Sequence, residues 1–171
     1  GSTAGTELEV LAGVGFEAGF LDGDLATARF SAPSGICADG QGNVYVADTG
    51  NHAIRLVSLE DGKVRTLAGD GTPGWVDGIG THARFRAPVA VALSRDGAYL
   101  YVADRGQNMI RRIWLSSGRV DTVAGATAPG DADGSGTEAR FRHPSGICVD
   151  SAGRIHVSDT DNLRVCVLTP E

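Results

Sequence analysis

The chain has 171 residues, enough for one substantial hydrophobic core, and it contains 25 glycines, one methionine and a formal net charge of -6. This composition favours an all-β fold of short strands joined by glycine-containing turns and excludes a helical bundle. The acidic balance argues against a nucleic-acid partner, which needs a basic surface, and no apolar run reaches the ~20 residues that cross a bilayer, so no membrane partner is predicted.

The chain begins with Gly1 and Ser2 rather than Met, so residues 1–7 are interpreted as a linker that carries the remnant of a cleaved tag. The next segment, residues 8–13 (LEVLAG), has the composition of a short strand. Its meaning depends on the repeat that follows.

The chain repeats itself every 56 residues. A motif of Leu or Val followed by Ala and Gly occurs at Leu11–Gly13, Leu67–Gly69 and Val123–Gly125. An Ala-Arg-Phe triplet and a later proline keep the same register in each unit. Each complete unit is predicted to form four short antiparallel strands. In the first unit these are Ser34–Ala38, Val44–Ala47, Ala53–Leu59 and Val64–Ala68; in the second they are Val89–Leu93, Leu100–Ala103, Met109–Leu115 and Val120–Ala124; in the third they are Ser145–Val149, Ile155–Ser158 and Arg164–Leu168.

The third unit has no fourth strand before the sequence ends, whereas residues 8–13 align with the fourth strands of the other units. The segments Thr66–Pro88 and Gly42–Val57 resemble the long form of the NHL repeat, and all three units carry the pattern. The resemblance implies a β-propeller of four-stranded blades: residues 8–13 are a fourth strand, residues 14–69 and 70–125 are blades 1 and 2, and residues 126–171 are the first three strands of blade 3.

Three blades are too few for a closed propeller, which has ~4 to 8. Because NHL-type propellers commonly have six blades, the resemblance implies a six-bladed ring made by a homodimer. Residues 8–13 of each chain would then complete blade 3 of the partner. Further repeats of a longer native chain are the alternative means of closing the ring.

Two sets of repeated charged residues are predicted to be structural. The first aspartate of each unit lies seven residues before an arginine, and each such pair is expected to fix the long loop between blades. A second aspartate ends the second strand and is expected to accept a backbone N–H two residues later. The pairs are Asp22 and Arg29, Asp77 and Arg84, and Asp133 and Arg140; the turn residues are Asp48, Asp104 and Asp159.

Residues on the inter-blade loops that differ between units are the predicted binding residues, because binding groups concentrate on loops held by a rigid scaffold. The expected partner is a protein or peptide of acidic or mixed character. The candidates are Trp75, His82, Arg86, Glu138, Arg142 and His143.

The sequence predicts no catalytic residues, no metal site and no cofactor, because the four histidines fall at four different repeat positions and no CxxC motif occurs. Cys37 and Cys148 stand in equivalent SGIC segments and are expected to be buried core thiols. The resemblance implies a scaffold for protein–protein interaction. A channel-site enzyme of lyase or lactonase type, or a small-ligand binder with a divalent metal, remains the alternative, and RNA recognition through one face is a third.

Overall fold

The computed structural model describes residues 5–169 as three antiparallel β-sheets connected in sequence. The sheets are numbered 1 to 3 in chain order. Sheet 1 contains β1 (Gly23–Asp24), β2 (Pro33–Ala38), β3 (Asn43–Asp48), β4 (Ala53–Ser58) and β5 (Lys63–Ala68); sheet 2 contains β6 (Gly78–Ile79), β7 (Pro88–Leu93), β8 (Tyr99–Asp104), β9 (Met109–Trp114) and β10 (Arg119–Gly125); sheet 3 contains β11 (Pro144–Val149), β12 (Ile155–Asp159) and β13 (Arg164–Leu168).

Sheets 1 and 2 each have a fifth strand that the sequence does not predict. In sheet 1 the two-residue β1 pairs with β5 through Gly23 and Val64, and in sheet 2 the two-residue β6 pairs with β10 in the same way. Both strands belong to the long loop that leads into the sheet, so this loop returns along the outermost strand. The predicted all-β fold with antiparallel sheets is confirmed.

The sheets pack face to face, and alternate residues of each strand form the two joints between them. Between sheets 1 and 2, Tyr45 and Ile54 pack in one buried cluster with Val102 and Ile113. At the inner edge, β2 and β7 approach so closely that a Cβ atom at Gly35 would lie 2.5 Å from the Cα of Ala90. Glycine therefore sets the spacing of the first two sheets.

A hydrogen bond also spans each joint. In each sheet a single-turn 3-10 helix follows the second long strand. The residue that ends this helix has a left-handed backbone conformation, with φ between 52° and 57°; it is His52, Asn108 or Leu163. The Nδ1 atom of His52 accepts the backbone N–H of Ala87 at 3.0 Å. At the joint between sheets 2 and 3, the side-chain oxygen of Asn108 accepts the backbone N–H of His143 at 2.9 Å. Leu163 has no atom that could do the same.

The expectation of buried thiols is wrong for Cys148, which is exposed, while Cys37 and Cys166 are partly buried. Cys37 packs against the joint between sheets 1 and 2, and burial raises the pKa of its thiol to about 11. Cys148 occupies the same repeat position in sheet 3, but within residues 5–169 no fourth sheet covers it.

The predicted N-terminal strand pairs with no strand in the described part of the chain. Leu8 and Val10 are almost fully exposed. Gly13 nevertheless has a φ of +99°, matching +98° at Gly69 and +96° at Gly125, where the fourth strands end. Its N–H bonds to the carbonyl of Leu25 at 2.8 Å, as the repeat position requires. The first four residues of the predicted tag remnant lie outside the described range.

Candidate binding face

A buried arginine ties the long loop to each of the first two sheets. The guanidinium of Arg55 is fully buried and donates at 2.7 Å both to Asp48 and to Asp22. It also donates to two loop carbonyls, those of Arg29 and Leu21, at 2.9 Å. Arg111 joins the equivalent aspartates of sheet 2 in the same way.

The predicted pairing of Asp22 with Arg29, and of its equivalents, is therefore wrong. Arg29 pairs with Glu17, and Arg84 pairs with Asp70. Arg140 donates to main-chain carbonyls of its own loop. The cation that pairs with Asp22 is Arg55 of β4. Arg55 is buried because it also pairs with Asp48, a fully buried carboxylate that requires a buried partner.

Sheet 3 builds the same site from a different position. Cys166 occupies the repeat position of Arg55. Arg164, two residues earlier on the same face of the strand, supplies the guanidinium group instead. Its Nε atom lies 2.9 Å from Asp159, and one terminal nitrogen lies 3.3 Å from Asp133. The site survives the substitution but is less enclosed, since the Arg164 side chain is 29% exposed.

Asp48, Asp104 and Asp159 do not cap the turns that follow them, contrary to prediction, and the 3-10 helices there have no side-chain cap. Each aspartate instead accepts a backbone N–H from the loop that enters its own sheet. These donors are Ser31 at 2.7 Å, Arg86 at 2.8 Å and Arg142 at 2.6 Å. The aspartates point inward from the strand ends, so they hold the loops instead of the turns.

Asp104 lacks one donor that its counterparts have. The Nδ2 group of Asn51 donates to Asp48 at 2.8 Å, and that of Asn162 donates to Asp159 at 2.7 Å. Sheet 2 has Gln107 at this position. Asp104 is also 3.5 Å from Arg111, against 2.7 Å in sheet 1, and burial raises its pKa to about 7.

These loops and 3-10 helices form one end of the sheets, here named the loop face. It comprises the 3-10 helices Thr49–Asn51, Arg105–Gln107 and Thr160–Asn162 and the residues just before β2, β7 and β11. Backbone hydrogen bonds hold loop and helix together, as between Gly106 and Arg86 at 2.8 Å and between Asp161 and Arg142 at 3.1 Å.

Three exposed arginines follow the loop face across sheets 2 and 3 and are named the arginine strip: Arg86, Arg105 and Arg142. Within residues 5–169, none of them lies within ion-pair distance of a carboxylate. A hydrogen bond from His143, 2.6 Å away, and the charges of Arg105 and Arg142 hold the pKa of Asp161 below its usual value. Burial and the charge of Arg86 lower the pKa of His52.

Comparison with known proteins also detects the repeat, at two positions of the chain. The family model described as NHL repeat matches residues 30–55 and 141–168. The chain therefore contains NHL repeats. NHL repeat-containing protein 2 of Bos taurus is 33% identical over 84% of this chain, which spans 22% of that relative. The chain thus covers about a fifth of the curated relative's length.

Solved structures agree on the architecture. An auxiliary nutrient binding protein from Bacteroides ovatus is 29% identical, with a TM-score of 0.71 over 86% of this chain and 39% of that chain. The virginiamycin B lyase of Staphylococcus aureus, at 18% identity and a TM-score of 0.51 over 81% of this chain and 41% of its own, shows likeness of fold alone. The NHL-repeat chain therefore has a propeller-like arrangement of sheets.

The predicted binding residues of this NHL-repeat chain fall in two regions. Arg86, Arg142 and His143 come together on the loop face. The other three lie on the long loops beside the outermost strands: Trp75 donates from Nε1 to Thr122 of β10, and His82 and Glu138 belong to 3-10 helices that pack against β5 and β10.

Sequence reasoning missed Arg105 and Asp161 as members of this face. The available signal was the same one that selected Arg86, because Arg105 stands where the other units have Thr49 and Thr160. Among residues 5–169, no three His, Cys, Asp or Glu side chains converge as metal ligands. The helices of that range are single turns, none of which could span a membrane.

Proposed function

We propose that this NHL-repeat chain is a protein-binding module that acts as a closed six-bladed ring, in which a second copy supplies the other three blades. The observation that carries the proposal is that both outer faces of the three-sheet arc expose residues whose repeat equivalents are buried at the joints. Apolar faces of this kind on soluble proteins mark association sites.

The free face of sheet 3 is apolar along its edge strand. Val165 is 77% exposed, whereas its repeat equivalents Ile54 and Ile110 are 0% exposed. Val167, two residues further on, is 54% exposed. A following sheet packed as sheet 2 packs on sheet 1 would remove these side chains from water, which favours such packing by about 25 cal/mol for each Å² of apolar surface.

The free face of sheet 1 is complementary to that pattern. Ile36 is 64% exposed, while Val91, at the same position in sheet 2, is 6% exposed because sheet 1 covers it. Pro33 is likewise exposed although Pro88 and Pro144 are buried. A copy of sheet 3 placed before sheet 1 would meet the kind of surface that sheets 1 and 2 already present to each other.

The exposed N-terminal segment fits the remaining gap. Among the described residues, no fourth strand pairs with the outer edge of β13. Two grooves of about 400 Å³ and 520 Å³ are lined in part by β13. Ala12 is the equivalent of Ala68 and Ala124, which are 0% and 1% exposed in the completed sheets. We expect residues 8–12 of one copy to pair with β13 of the other.

Association state tests the ring. Light scattering should give twice the 17.6 kDa chain mass at micromolar concentration, and Val165→Asp or Ile36→Asp should shift the protein to the monomer. Ile79→Asp is the matched control, since Ile79 is similarly exposed but lies on β6, outside both free faces. A stable monomer of the unaltered protein would contradict the ring.

The N-terminal strand has its own matched pair of variants. Val10→Pro removes a backbone N–H whose equivalent at Thr66 donates to the carboxylate of Asp22 at 3.0 Å, so it should weaken the dimer. Val10→Thr places there the residue found at Thr66 and Thr122 and should not. Equal dimer dissociation constants for the two variants would contradict strand exchange.

Binding is tested with a random peptide library displayed on phage and selected on the immobilised protein. Enrichment of peptides that free protein competes for would support the module. Repeated selections without any enrichment would contradict it. Support for a protein-binding role comes from the NHL repeats and from a loop face presented by rigid, hydrogen-bonded sheets.

A further inference from the structure

We infer that the arginine strip binds a short acidic peptide segment, with carboxylate side chains as the groups it recognises. The inference rests on the proposed protein-binding role and gives that role a site and a ligand chemistry. The strip lies within one chain, across sheets 2 and 3, and so does not require a second copy.

The three arginines have no structural duty that the repeat requires. Arg86 stands at the position of Ser31, and its main-chain N–H and C=O make the same two bonds as those of Ser31, to the buried aspartate and to the 3-10 helix. Arg105 likewise replaces threonine in the other two units. The fold therefore uses the backbone at these positions and leaves the guanidinium groups free for a ligand.

The strip is continuous across the joint between sheets 2 and 3. A Cβ built on Gly106 would lie 2.8 Å from the Cγ of Arg86, so Arg86 lies over the 3-10 helix that begins with Arg105. That helix leads to Asn108, which accepts the N–H of His143 at 2.9 Å. The bond places Arg142 beside the same joint.

The local charge is opposite to that of the chain as a whole, which is -6. The two aspartates that accept the backbone N–H groups of Arg86 and Arg142, namely Asp104 and Asp159, are fully buried. The exposed carboxylate within the strip, that of Asp161, is already hydrogen-bonded to His143. Guanidinium groups bind carboxylates through paired N–H donors, so unpaired arginines in this setting select an acidic ligand.

A short acidic peptide suits this surface better than RNA. Nucleic-acid affinity grows with the number of phosphates that a protein neutralises, and three arginines neutralise few. A longer polyanion would extend beyond the strip over an acidic body that repels it, whereas a segment of a few glutamates would not.

Fluorescence anisotropy with labelled hexaglutamate at about 0.15 M salt measures the interaction directly. The repeat itself supplies substitutions that the fold accepts, namely Arg86→Ser, Arg105→Thr and Arg142→Ser. Each should weaken binding about two- to fivefold, as for exposed charge pairs, and the triple variant should weaken it about tenfold or more. Arg95→Ser is the control, because Arg95 is exposed in the turn between β7 and β8, at the other end of the sheet. The affinity of this variant for hexaglutamate should stay within about twofold of that of the unaltered protein.

Unchanged hexaglutamate affinity in the triple variant would overturn the inference. So would tighter binding of a 12-nucleotide oligouridylate that the same variant abolishes. If the peptide library yields binders that are not acidic and tolerate the triple variant, the inference fails while the binding module stands. Hexaglutamate binding retained by monomeric Val165→Asp would support the strip even if the ring proposal failed.

Discussion

Gln107 leaves Asp104 one hydrogen bond short, and Gln107→Asn should repair the defect. Asparagine occupies this position in the other two units, where Asn51 and Asn162 donate both to the buried aspartate and to a loop carbonyl. The backbone of the 3-10 helix is the same in all three units, so an asparagine at 107 should reach Asp104 without rearrangement.

The gain should depend on pH. Burial raises the pKa of Asp104 to about 7 from 3.8, so between these values the unfolded chain loses a proton that the folded chain keeps. Stability from protonated Asp104 is therefore complete below pH 3.8 and is lost as the pH rises through about 7. A hydrogen bond to the charged carboxylate is worth about 1.5–3 kcal/mol and one to the neutral acid about 0.5–1.5 kcal/mol.

Urea unfolding of both proteins at pH 5 and pH 8 measures the effect. We expect Gln107→Asn to stabilise the protein by about 2 kcal/mol at pH 8 and by about 1 kcal/mol at pH 5. The reciprocal variant Asn51→Gln should lose a similar amount at pH 8. An equal gain at both pH values would refute the reasoning, because the new bond would then be insensitive to the charge of Asp104.

Two further predictions concern buried and exposed equivalents. Arg55→Met should destabilise the fold by about 3–5 kcal/mol in urea unfolding, because it leaves two aspartates without their cation. Arg164→Met should destabilise it less, since the Arg164 side chain is 29% exposed. Equal losses of stability in the two variants would contradict the role of burial. Cys148 should react with a thiol reagent faster than Cys37, whose raised pKa and partial burial slow it, and the Cys148 rate should fall as protein concentration drives ring closure. A Cys148 rate independent of concentration would argue against the ring.

The main strands could be predicted from the sequence because each unit repeats the same alternation of side chains. The predicted Val44–Ala47, for example, lies inside the observed Asn43–Asp48. The two-residue strands β1 and β6 could not be predicted, since a pair of residues carries no periodicity. They form only because the long loop returns along the outermost strand.

The partners of charged residues were less predictable than the strands. The interval of seven residues suggested Asp22 with Arg29, but the arginine that meets Asp22 comes from 33 residues later in the chain. Spacing along a sequence says little about such contacts, because the turns of three intervening strands decide them. The shift from Arg55 to Arg164 shows that the site tolerates a change of position when the strand face is kept.

Leu163 distinguishes the free face of sheet 3 from the joints. At the closed joints the left-handed residue accepts an N–H from the next sheet, through His52 and Asn108. In the proposed ring, Leu163 would face the N–H of Ala32 in the second copy and could not accept it.

Leu163→Asn and Leu163→Gly should both relieve the left-handed strain at φ +56° and stabilise the monomer similarly. Asparagine alone adds an acceptor for Ala32, at each of the two seams of a symmetric dimer. At about 1 kcal/mol for each hydrogen bond, the dimer of the asparagine variant should be tighter than that of the glycine variant by roughly 30-fold. Equal dissociation constants in analytical ultracentrifugation would show that Leu163 does not face Ala32 of a second copy, and the ring would have to close by another geometry.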